Sequence, residues 1–181
     1  SLAFMLIDLD RFKEINDTLG HHVGDRVLNE ISTRLLHCLR KSDTVARLGG
    51  DEFALIIPDT EAAQATQFAK KISMAINEVL VIDNQNLYIG ASIGISMYPE
   101  DGLDPDTLVR YADIAMYSAK QDNIDSALFN VEMDKMSVDN LSLLGDFREE
   151  LNNQTGQLQL YYQPKIDLLN KRIISVEAFL F

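Results

Sequence analysis

The 181-residue sequence is 46% apolar and 24% charged, which is typical of a soluble globular protein with one ordinary core and a small additional piece. Its net charge of −12 argues against a general nucleic-acid or anionic-membrane surface, because such surfaces are built from clustered lysine and arginine. The sequence contains neither an apolar run of transmembrane length nor a signal peptide. The single cysteine, Cys38, cannot form an internal disulfide, and its apolar helical surroundings predict a buried thiol.

The first part of the chain predicts a strand, a helix and a hairpin in that order. Residues 2–8 form an almost continuous apolar run, as expected of a central strand covered on both faces. Apolar residues at spacings of three and four predict a helix over residues 23–41. The segments TVARL and EFALII then predict the two arms of a β-hairpin, with Gly49 and Gly50 as its two-residue loop.

The next residues predict two helices that alternate with two strands. One amphipathic helix covers about residues 65–79 and another covers 108–119, since their apolar residues recur on one helical face. Residues 86–99 alternate between apolar and small or polar side chains, which predicts a strand with one buried face. Residues 126–129 predict a short last strand. This order favours an α+β or mixed α/β fold, in which helices cover a ferredoxin-related central sheet.

The pattern changes after residue 130, where we place a domain boundary. Residues 131–155 are polar with a helical pattern, which predicts a linker. Residues 156–181 then predict two new strands around the turn LLNKR, and this piece is too small to bury a core alone. The sequence therefore indicates an α+β domain over residues 1–130, a helical linker and the start of a second domain.

Three carboxylates stand where the predicted strands bring chain segments together. Asp8 ends the first strand, and Asp51 and Glu52 follow the two glycines of the hairpin. Adjacent like charges repel unless a cation or solvent screens them, so a turn alone gives no reason for this pair. If the hairpin lies beside the first strand, the three carboxylates converge and can hold Mg²⁺ together with substrate phosphates.

A second polar cluster follows Asp8 in the segment DRFKEINDTLGHHVGDRVL. Lys13 can reach a phosphate as a point charge. Asn16 and Asp25 can read a guanine edge, because a carboxylate accepts hydrogen bonds from N1–H and from the N2 amino group. Taken alone, these residues favour the alternative that Asn16, Asp17 and Asp25 are helix caps.

Three spaced motifs, LIDLDRFKEINDTLGHHVGD, RLGGDEF and RYADIAMYSAK, resemble those of the GGDEF family of diguanylate cyclases. The resemblance covers about residues 1–130 and implies a palm-like sheet with the β-hairpin at the active site. It also implies an enzyme that condenses two GTP molecules into cyclic di-GMP and two pyrophosphates. The family usually carries a helical segment with an Asp-x-Leu-Thr motif before the first strand, and this sequence starts at that strand.

The resemblance also implies roles for individual residues. Asp8 and Asp51 would hold Mg²⁺ or Mn²⁺ with help from the Leu9 carbonyl. Glu52 would be the catalytic carboxylate, activating the attacking 3′-hydroxyl or binding a second metal ion. Asn16 and Asp25 would bind guanine. The other substrate-binding residues implied by the resemblance are Phe12, Lys13, Gly49, Gly50 and Lys120.

Regulation and assembly follow from the same resemblance. Arg40 and Asp43 form an RxxD arrangement that resembles the family's product-inhibition site for cyclic di-GMP, where arginine suits both phosphate and guanine. The alternative is that Arg40 and Lys41 stand at a helix end because the helix dipole favours cations there. Each site resembles half of a symmetric reaction centre, so turnover implies a homodimer. We expect no nucleic-acid partner and no membrane contact within this chain.

The last residues resemble the beginning of an EAL phosphodiesterase domain, with VEAF where the signature Glu-Ala-Leu would stand. Glu177 would match a metal-ligand glutamate, and Gln163 would match a ligand contact. One potential ligand cannot form a two-metal site, so we expect no phosphodiesterase activity from this part of the chain.

Three functions are compatible with these residues. The leading interpretation is the cyclase half of a GGDEF–EAL signalling protein in the bacterial cytoplasm, whose full length can carry a membrane anchor. The family commonly has Gly-Arg-Asn after Lys120, and here Ile124 stands in place of a phosphate-binding arginine. This departure favours a second interpretation, a GTP-binding module that regulates the attached EAL domain. A palm-fold polymerase or adenylyl cyclase is the third, which Asn16, Asp25 and the acidic surface disfavour.

Overall fold

The computed structural model describes residues 1–136 and 159–180, and the chain divides into two compact units, Ser1–Lys135 and Met136–Phe181. The elements of the first unit are β1 (Leu2–Leu9), α1 (Phe12–Leu19), α2 (His21–Cys38), β2 (Thr44–Gly49), β3 (Glu52–Pro58), α3 (Ala62–Asn77), β4 (Leu80–Ile82), β5 (Gln85–Leu87), β6 (Ala91–Tyr98), α4 (Pro105–Asp122) and β7 (Ser126–Leu128). Five strands form one sheet in the order β2-β3-β1-β6-β7, and β4 and β5 form a separate ribbon.

Strand β1 lies at the centre of the sheet, as its apolar run predicts. It pairs antiparallel with β3 on one side and with β6 on the other, while β7 joins β6 in parallel at the edge. Helices pack on both faces of this mixed sheet. The predicted α+β class with helices covering a central sheet is therefore confirmed.

The larger part of the core lies between the sheet and helices α2 and α3. Cys38 ends α2 and packs against this core, but it is only partly buried, whereas the pattern predicted a buried thiol. Arg34 of α2 fixes the end of α3, because its guanidinium donates to backbone oxygens that the helix leaves unpaired. The buried residues on this face include Met5, Ile7, Ile31, Leu55, Ile72 and Ile93, and the oxygens that Arg34 reaches belong to Ala75, Ile76, Glu78 and Val79.

Helix α4 covers the opposite face and lies very close to β6. Its residues Ala112 and Met116 pack with Leu6 and Ala54 in a small apolar cluster. A Cβ atom at Gly94 would lie 1.9 Å from the Ala112 backbone oxygen, so only glycine permits this approach.

The alternating segment over residues 86–99 forms parts of two strands, β5 and β6, instead of one. Residues 91–97 of β6 are all buried, so the prediction of one buried face was wrong. The small side chains that alternate with the apolar ones face α4, and Ser96 Oγ donates to the Leu108 backbone oxygen at 2.8 Å. Small residues on a strand therefore marked a close helix contact here and not a solvent-exposed face.

The hairpin of β2 and β3 turns one residue later than predicted. Gly49 pairs with Glu52, so the loop consists of Gly50 and Asp51. Gly50 has a φ of +52°, which favours glycine, whereas nothing lies within 4 Å of a Cβ atom added at Gly49. The Arg47 guanidinium donates to the Gly50 oxygen at 3.0 and 2.8 Å and closes the turn.

Helix α1 follows β1 directly and was not predicted as a separate element. Asn16 and Asp17 lie inside α1, and Asp25 lies inside α2. The N-cap positions are Arg11 and Gly20, and neither helix has a side-chain cap hydrogen bond there. The interpretation of the three polar residues as helix caps was therefore wrong.

The second unit contains a hairpin of β8 (Leu160–Asp167) and β9 (Arg172–Leu180), as the last residues predict. Asp167 closes its turn by accepting from Leu169 N–H at 2.8 Å and from Asn170 Nδ2 at 2.6 Å, and these hydrogen bonds lower the pKa of Asp167. Residues 131–136 are helical, and the rest of the predicted linker lies outside the described residues. Each helix within 1–136 and 159–180 is too short or too polar to cross a bilayer.

Candidate active site

Two carboxylates are brought side by side by the pairing of β1 with β3. Asp8 stands directly opposite Glu52, and on its other side it stands opposite Ser92 of β6. Directly paired residues of antiparallel strands share one face of a sheet, and this face is the one that α4 covers. The hairpin thus lies beside the first strand, as convergence of the carboxylates requires.

Lys120 extends from α4 towards these carboxylates, one helical turn after Met116. Its Nζ lies 2.5 Å from Asp8 Oδ1, and the two side chains are 49% and 15% exposed, respectively. The hydrogen bond to Asp8 raises the pKa of Lys120 despite partial burial, and the charges of Asp8, Asp10 and Asp51 raise it further. The position of the Lys120 ammonium therefore marks the point of this surface that attracts a cation.

Asp10 belongs to the same cluster, although the sequence analysis gave it no role. Its carboxylate accepts from Ser92 Oγ at 3.0 Å, and its N–H donates to the Gly90 oxygen at 2.9 Å. A Cβ atom at Gly90 would lie 2.7 Å from Asp10 Oδ2, so glycine leaves room for the carboxylate. The signal was present in the sequence, because a second aspartate, Asp10, follows Asp8 two residues later, directly after the end of β1 at Leu9.

The residues implied as metal ligands are neighbours in space. Leu9 N–H donates to the Asp51 backbone oxygen at 3.3 Å, which joins the hairpin loop to the end of β1. In residues 1–136 and 159–180, no group of three or more His, Cys, Asp or Glu side chains could hold a metal ion by itself. Mg²⁺ commonly binds through one or two carboxylates and completes its coordination with substrate phosphates, and the directly paired Asp8 and Glu52 offer two carboxylates for such a donor set.

The residues implied as guanine contacts lie where α1 meets α2. A Cβ atom at Gly24 would lie 2.0 Å from Asn16 Oδ1 and 3.2 Å from Phe12 Cζ, so both side chains pack on this glycine. Asp25 is the next residue and is exposed, and Lys13 is exposed on α1. Asn16 and Asp25 therefore occupy adjoining positions on one surface.

A cleft of about 290 Å³ opens beside Lys120, between the end of α4 and the start of β6. Asn123 ends α4 in the left-handed conformation, with φ 53° and ψ 45°, and its N–H donates to the Ala119 and Lys120 oxygens. Ile124 lines the cleft and is 49% exposed. An apolar side chain thus faces the cleft where the family commonly has arginine.

Arg40 and Asp43 lie on a different surface, in the loop between α2 and β2. Asp43 Oδ2 accepts from Arg40 N–H at 2.8 Å, and Asp43 N–H donates to the Arg40 oxygen at 3.1 Å. Both residues line a cleft of about 530 Å³ together with Lys71 of α3. Lys71 Nζ lies 3.4 Å from the Cys38 oxygen, so Lys71 is a cation that reaches the end of α2.

The second unit holds the two residues that resemble an EAL site. Gln163 and Glu177 are directly paired across the β8–β9 hairpin. Lys165 Nζ lies 3.0 Å from Glu177 Oε2. The two residues therefore share one face of the hairpin.

Comparison with known proteins was made by sequence and by structure. The sequence profile described as "Diguanylate cyclase, GGDEF domain" matches residues 1–126. MucR of Pseudomonas aeruginosa, a bifunctional diguanylate cyclase/cyclic di-GMP phosphodiesterase, is 42% identical over 179 residues, which are 98% of this chain and 26% of MucR. The chain spans about a quarter of the length of such curated relatives. The profile match ends before the last residues, and no EAL domain is matched in the chain.

Solved structures give the same result for the fold. The GGDEF domain of TpbB (YfiN) from P. aeruginosa superimposes with a TM-score of 0.72 at 41% identity, over 75% of this chain and 80% of that chain. The GGDEF domain of DgcB from Caulobacter crescentus, solved in complex with c-di-GMP, gives 0.64 at 26% identity, over 71% and 76%. These similarities confirm the palm-like fold.

Proposed function

Because this chain belongs to the GGDEF family of diguanylate cyclases, we propose that it condenses two GTP molecules into cyclic di-GMP and two pyrophosphates. The observation that carries the proposal is the register of β1 and β3, which sets Asp8 opposite Glu52 with the Lys120 ammonium bound to Asp8. A surface that gathers carboxylates around a cation suits the metal-assisted chemistry of a triphosphate.

The reaction is an in-line displacement. The 3′-hydroxyl of one GTP attacks the α-phosphorus of the other, the bond to the bridging oxygen breaks, and pyrophosphate leaves. Glu52 accepts the proton of the attacking hydroxyl. Diguanylate cyclases of this family generally use divalent metal ions; here Asp8, Asp51 and the Leu9 carbonyl would hold Mg²⁺ or Mn²⁺, which neutralises phosphate charge when bound. When GTP binds, the Lys120 ammonium leaves the Asp8 carboxylate and binds a phosphate oxygen.

Base selection rests on the α1–α2 surface. The Asp25 carboxylate accepts from N1–H and the N2 amino group of guanine, a donor pair that adenine lacks. Phe12 and Asn16 pack together on Gly24, the residue that directly precedes Asp25 in α2. Lys13 binds a phosphate, and the open surface at Gly49 and Gly50 lets the substrate approach the backbone.

Turnover requires two copies of the chain. Each copy contributes one GTP and half of the reaction centre, so a symmetric homodimer brings the two α-phosphates within reach of the two hydroxyls. Arg40 and Asp43 bind cyclic di-GMP as an inhibitor in their cleft of about 530 Å³, because guanidinium groups suit phosphate oxygens.

The domain organisation is proposed as a GGDEF domain over residues 1–130, a linker over 131–155 and the start of an EAL domain over 156–181. Similarity to MucR over 98% of the chain supports a bifunctional protein of this kind. Gln163 and Glu177 are the proposed ligand contact and metal ligand of its phosphodiesterase half. We place the protein in the bacterial cytoplasm, where GTP is available.

Ile124 favours a second candidate function, a GTP-binding module that regulates the phosphodiesterase half without making product. An isoleucine cannot form the charge-assisted hydrogen bonds of arginine, and losing such a bond costs about 1.5–3 kcal/mol if nothing replaces it. Weaker phosphate binding would reduce the rate of turnover more than it would reduce the recognition of guanine.

Product analysis separates the two functions. We would incubate the protein with GTP and Mg²⁺ and identify nucleotides by mass spectrometry, with GTP binding and dimerisation measured on the same sample. We expect cyclic di-GMP and pyrophosphate in a ratio of one to two. GTP binding by a dimeric sample without product would overturn the cyclase and select the regulatory module.

A pair of variants makes the assay specific. Glu52→Gln keeps the size of the side chain but cannot accept the proton, so we expect the rate to fall by about 10²–10⁴-fold. Glu30→Gln removes an equivalent charge from α2, on the other face of the sheet, and should leave the rate unchanged. Equal rates for both variants would exclude Glu52 from the chemistry.

A further inference from the structure

The cleft beside Lys120 contains a second cation, Arg11, to which neither the family resemblance nor the mechanism above gives a role. We propose that the Arg11 guanidinium binds the terminal phosphates of GTP and replaces the arginine whose place Ile124 takes. This inference rests on the proposed function, because it concerns how the same site holds its substrate.

The position of Arg11 in the cleft supports this proposal. Arg11, Lys120 and Ile124 line the same cleft of about 290 Å³, although Arg11 comes from the start of α1 and the other two from the end of α4. A guanidinium in this cleft can therefore occupy the space that an arginine at position 124 would use. Its planar donors can bind two phosphate oxygens at once, which an ammonium cannot do.

Arg11 differs from the other charged residues of the cleft in that its guanidinium can bind a phosphate directly. Lys120 is bound to Asp8, and Asp10 accepts from Ser92 Oγ. Among the described residues, no hydrogen bond or ion pair involves the Arg11 guanidinium, and Arg11 is exposed. Asp125 also lines the cleft and likewise forms no ion pair within the described residues. Arg11 is thus the cation of the cleft that can bind a phosphate without first giving up a partner.

The backbone of Arg11 also favours a functional role for its side chain. It has φ +58° and ψ +21°, in the left-handed region that disfavours a residue with a Cβ atom. Glycine or asparagine would fit this N-cap position with less strain. Strained residues persist where the surrounding structure and the function hold them, so an arginine here is better explained by its guanidinium than by the fold.

The test compares GTP with GMP, which shares the guanine and lacks the terminal phosphates. Binding of each nucleotide in the presence of Mg²⁺ would be measured by calorimetry for the wild type and for Arg11→Gly. Glycine removes the guanidinium and relieves the left-handed backbone, so the variant should keep or raise its melting temperature. We expect GTP affinity to fall about tenfold or more, and GMP affinity to change by less than about twofold.

Two further variants complete the experiment. Ile124→Arg in the Arg11→Gly background should restore GTP affinity, because it returns a guanidinium to the cleft from the other side. Lys70→Gln removes a surface cation from α3, on the opposite face of the sheet, and should leave both affinities unchanged. Cyclic di-GMP formation would be followed in the same samples.

The outcomes separate this inference from the proposed function. If Arg11→Gly changes neither product formation nor the ratio of GTP to GMP affinity, the proposed role of Arg11 is overturned. The proposed cyclase activity is then still supported. If the wild-type protein binds GTP more tightly than GMP through Arg11 but makes no product, the phosphate-binding role of Arg11 is supported. The proposed cyclase activity is overturned. Equal loss of GTP and GMP binding overturns the inference, since Arg11 would then act only through the fold of α1.

Discussion

The two faces of the sheet differ in what they contain. The face towards α2 and α3 carries most of the buried apolar residues, whereas the face towards α4 has a small apolar cluster that gives way to Asp8, Glu52 and Lys120. Neighbouring carboxylates destabilise the fold unless a cation screens them, and folded proteins have little stability to lose. The apolar face thus supplies the stability with which the other face can keep its charges close together.

The largest effect is expected from Asp8→Asn. Asparagine removes a proposed metal ligand, so cyclic di-GMP formation should fall by about 10²–10⁴-fold. It also removes one of two facing carboxylates together with an ion pair whose lysine is half exposed, and these two losses oppose each other, so the free energy of unfolding should change by less than about 1 kcal/mol. Product assays and urea unfolding of the same preparation measure the two effects. A variant that is inactive because it is unfolded would contradict the division between the faces.

The second prediction tests the apolar face with two neighbouring residues of β3. Leu55 is fully buried towards α2 and α3, whereas Ile56 points to the other face and is 39% exposed. Leu55→Ala should lower the free energy of unfolding by about 2–5 kcal/mol because it leaves a cavity. Ile56→Ala should cost less than about 1 kcal/mol. Similar losses for the two variants, measured by urea unfolding, would show that stability is shared by both faces.

The third prediction concerns the contact between α4 and β6. Gly94→Ala places a Cβ atom against the Ala112 backbone, so α4 must move away at a cost of about 1–3 kcal/mol. The shift should also displace Lys120 and weaken GTP binding. Gly49→Ala is the control for the unfolding measurement alone, because a Cβ atom there meets nothing within 4 Å and should leave the unfolding midpoint unchanged. Calorimetric binding and thermal unfolding would detect both changes.

The smallest effect is expected for the pH dependence of stability that comes from the loop between β6 and α4. Partial burial raises the pKa of Asp101 above its ordinary value of 3.8, against the hydrogen bond from Met97 N–H, with a smaller contribution from Glu100. Its contribution to stability is therefore complete below pH 3.8 and is lost as pH rises through the folded-state pKa. Asp101→Asn should melt slightly above the wild type at pH 7, and this difference should disappear below pH 3.8.

Asp104 in the same loop is the control, because its effect on stability changes with pH in the opposite direction to that of Asp101. Hydrogen bonds from Thr107 lower the pKa of Asp104 below 3.8, so its charged form stabilises the fold above that pH. The contribution is lost as pH falls through the folded-state pKa. Asp104→Asn should therefore melt below the wild type at pH 7. Melting curves that move in the same direction for both variants would contradict this assignment.

The sequence predicted the parts of the fold that depend on local periodicity. The central strand, the helices α2, α3 and α4 and the β2–β3 and β8–β9 hairpins follow from apolar residues at periods of two and three to four, whereas the β4–β5 ribbon was not predicted. It did not predict the burial of both faces of β6, because the small residues that admit α4 look the same as a polar exposed face. It also missed α1, whose eight residues are too few for a clear periodicity.

The residues of the candidate site could be predicted where they stand in short motifs whose residue types are unusual for a turn or a strand end. Asp8, Asp51 and Glu52 stand out because three carboxylates in a turn and at a strand end need an explanation. Arg11 did not stand out in the sequence, because its proposed role depends on a cleft that it shares with residues more than a hundred positions later in the chain. Contacts of that kind come from the tertiary fold and leave no local pattern.

The central position of β1 has a consequence for how the chain folds. Leu9 pairs with Ala91, so one of the two partners of this apolar strand lies about eighty residues later in the chain. At about 5–20 residues per second, β1 waits roughly 4–16 s during synthesis before β6 leaves the ribosome. Such distant pairing slows folding and leaves an aggregation-prone strand open, so early β1–β3 contacts or a chaperone must protect it in the cell.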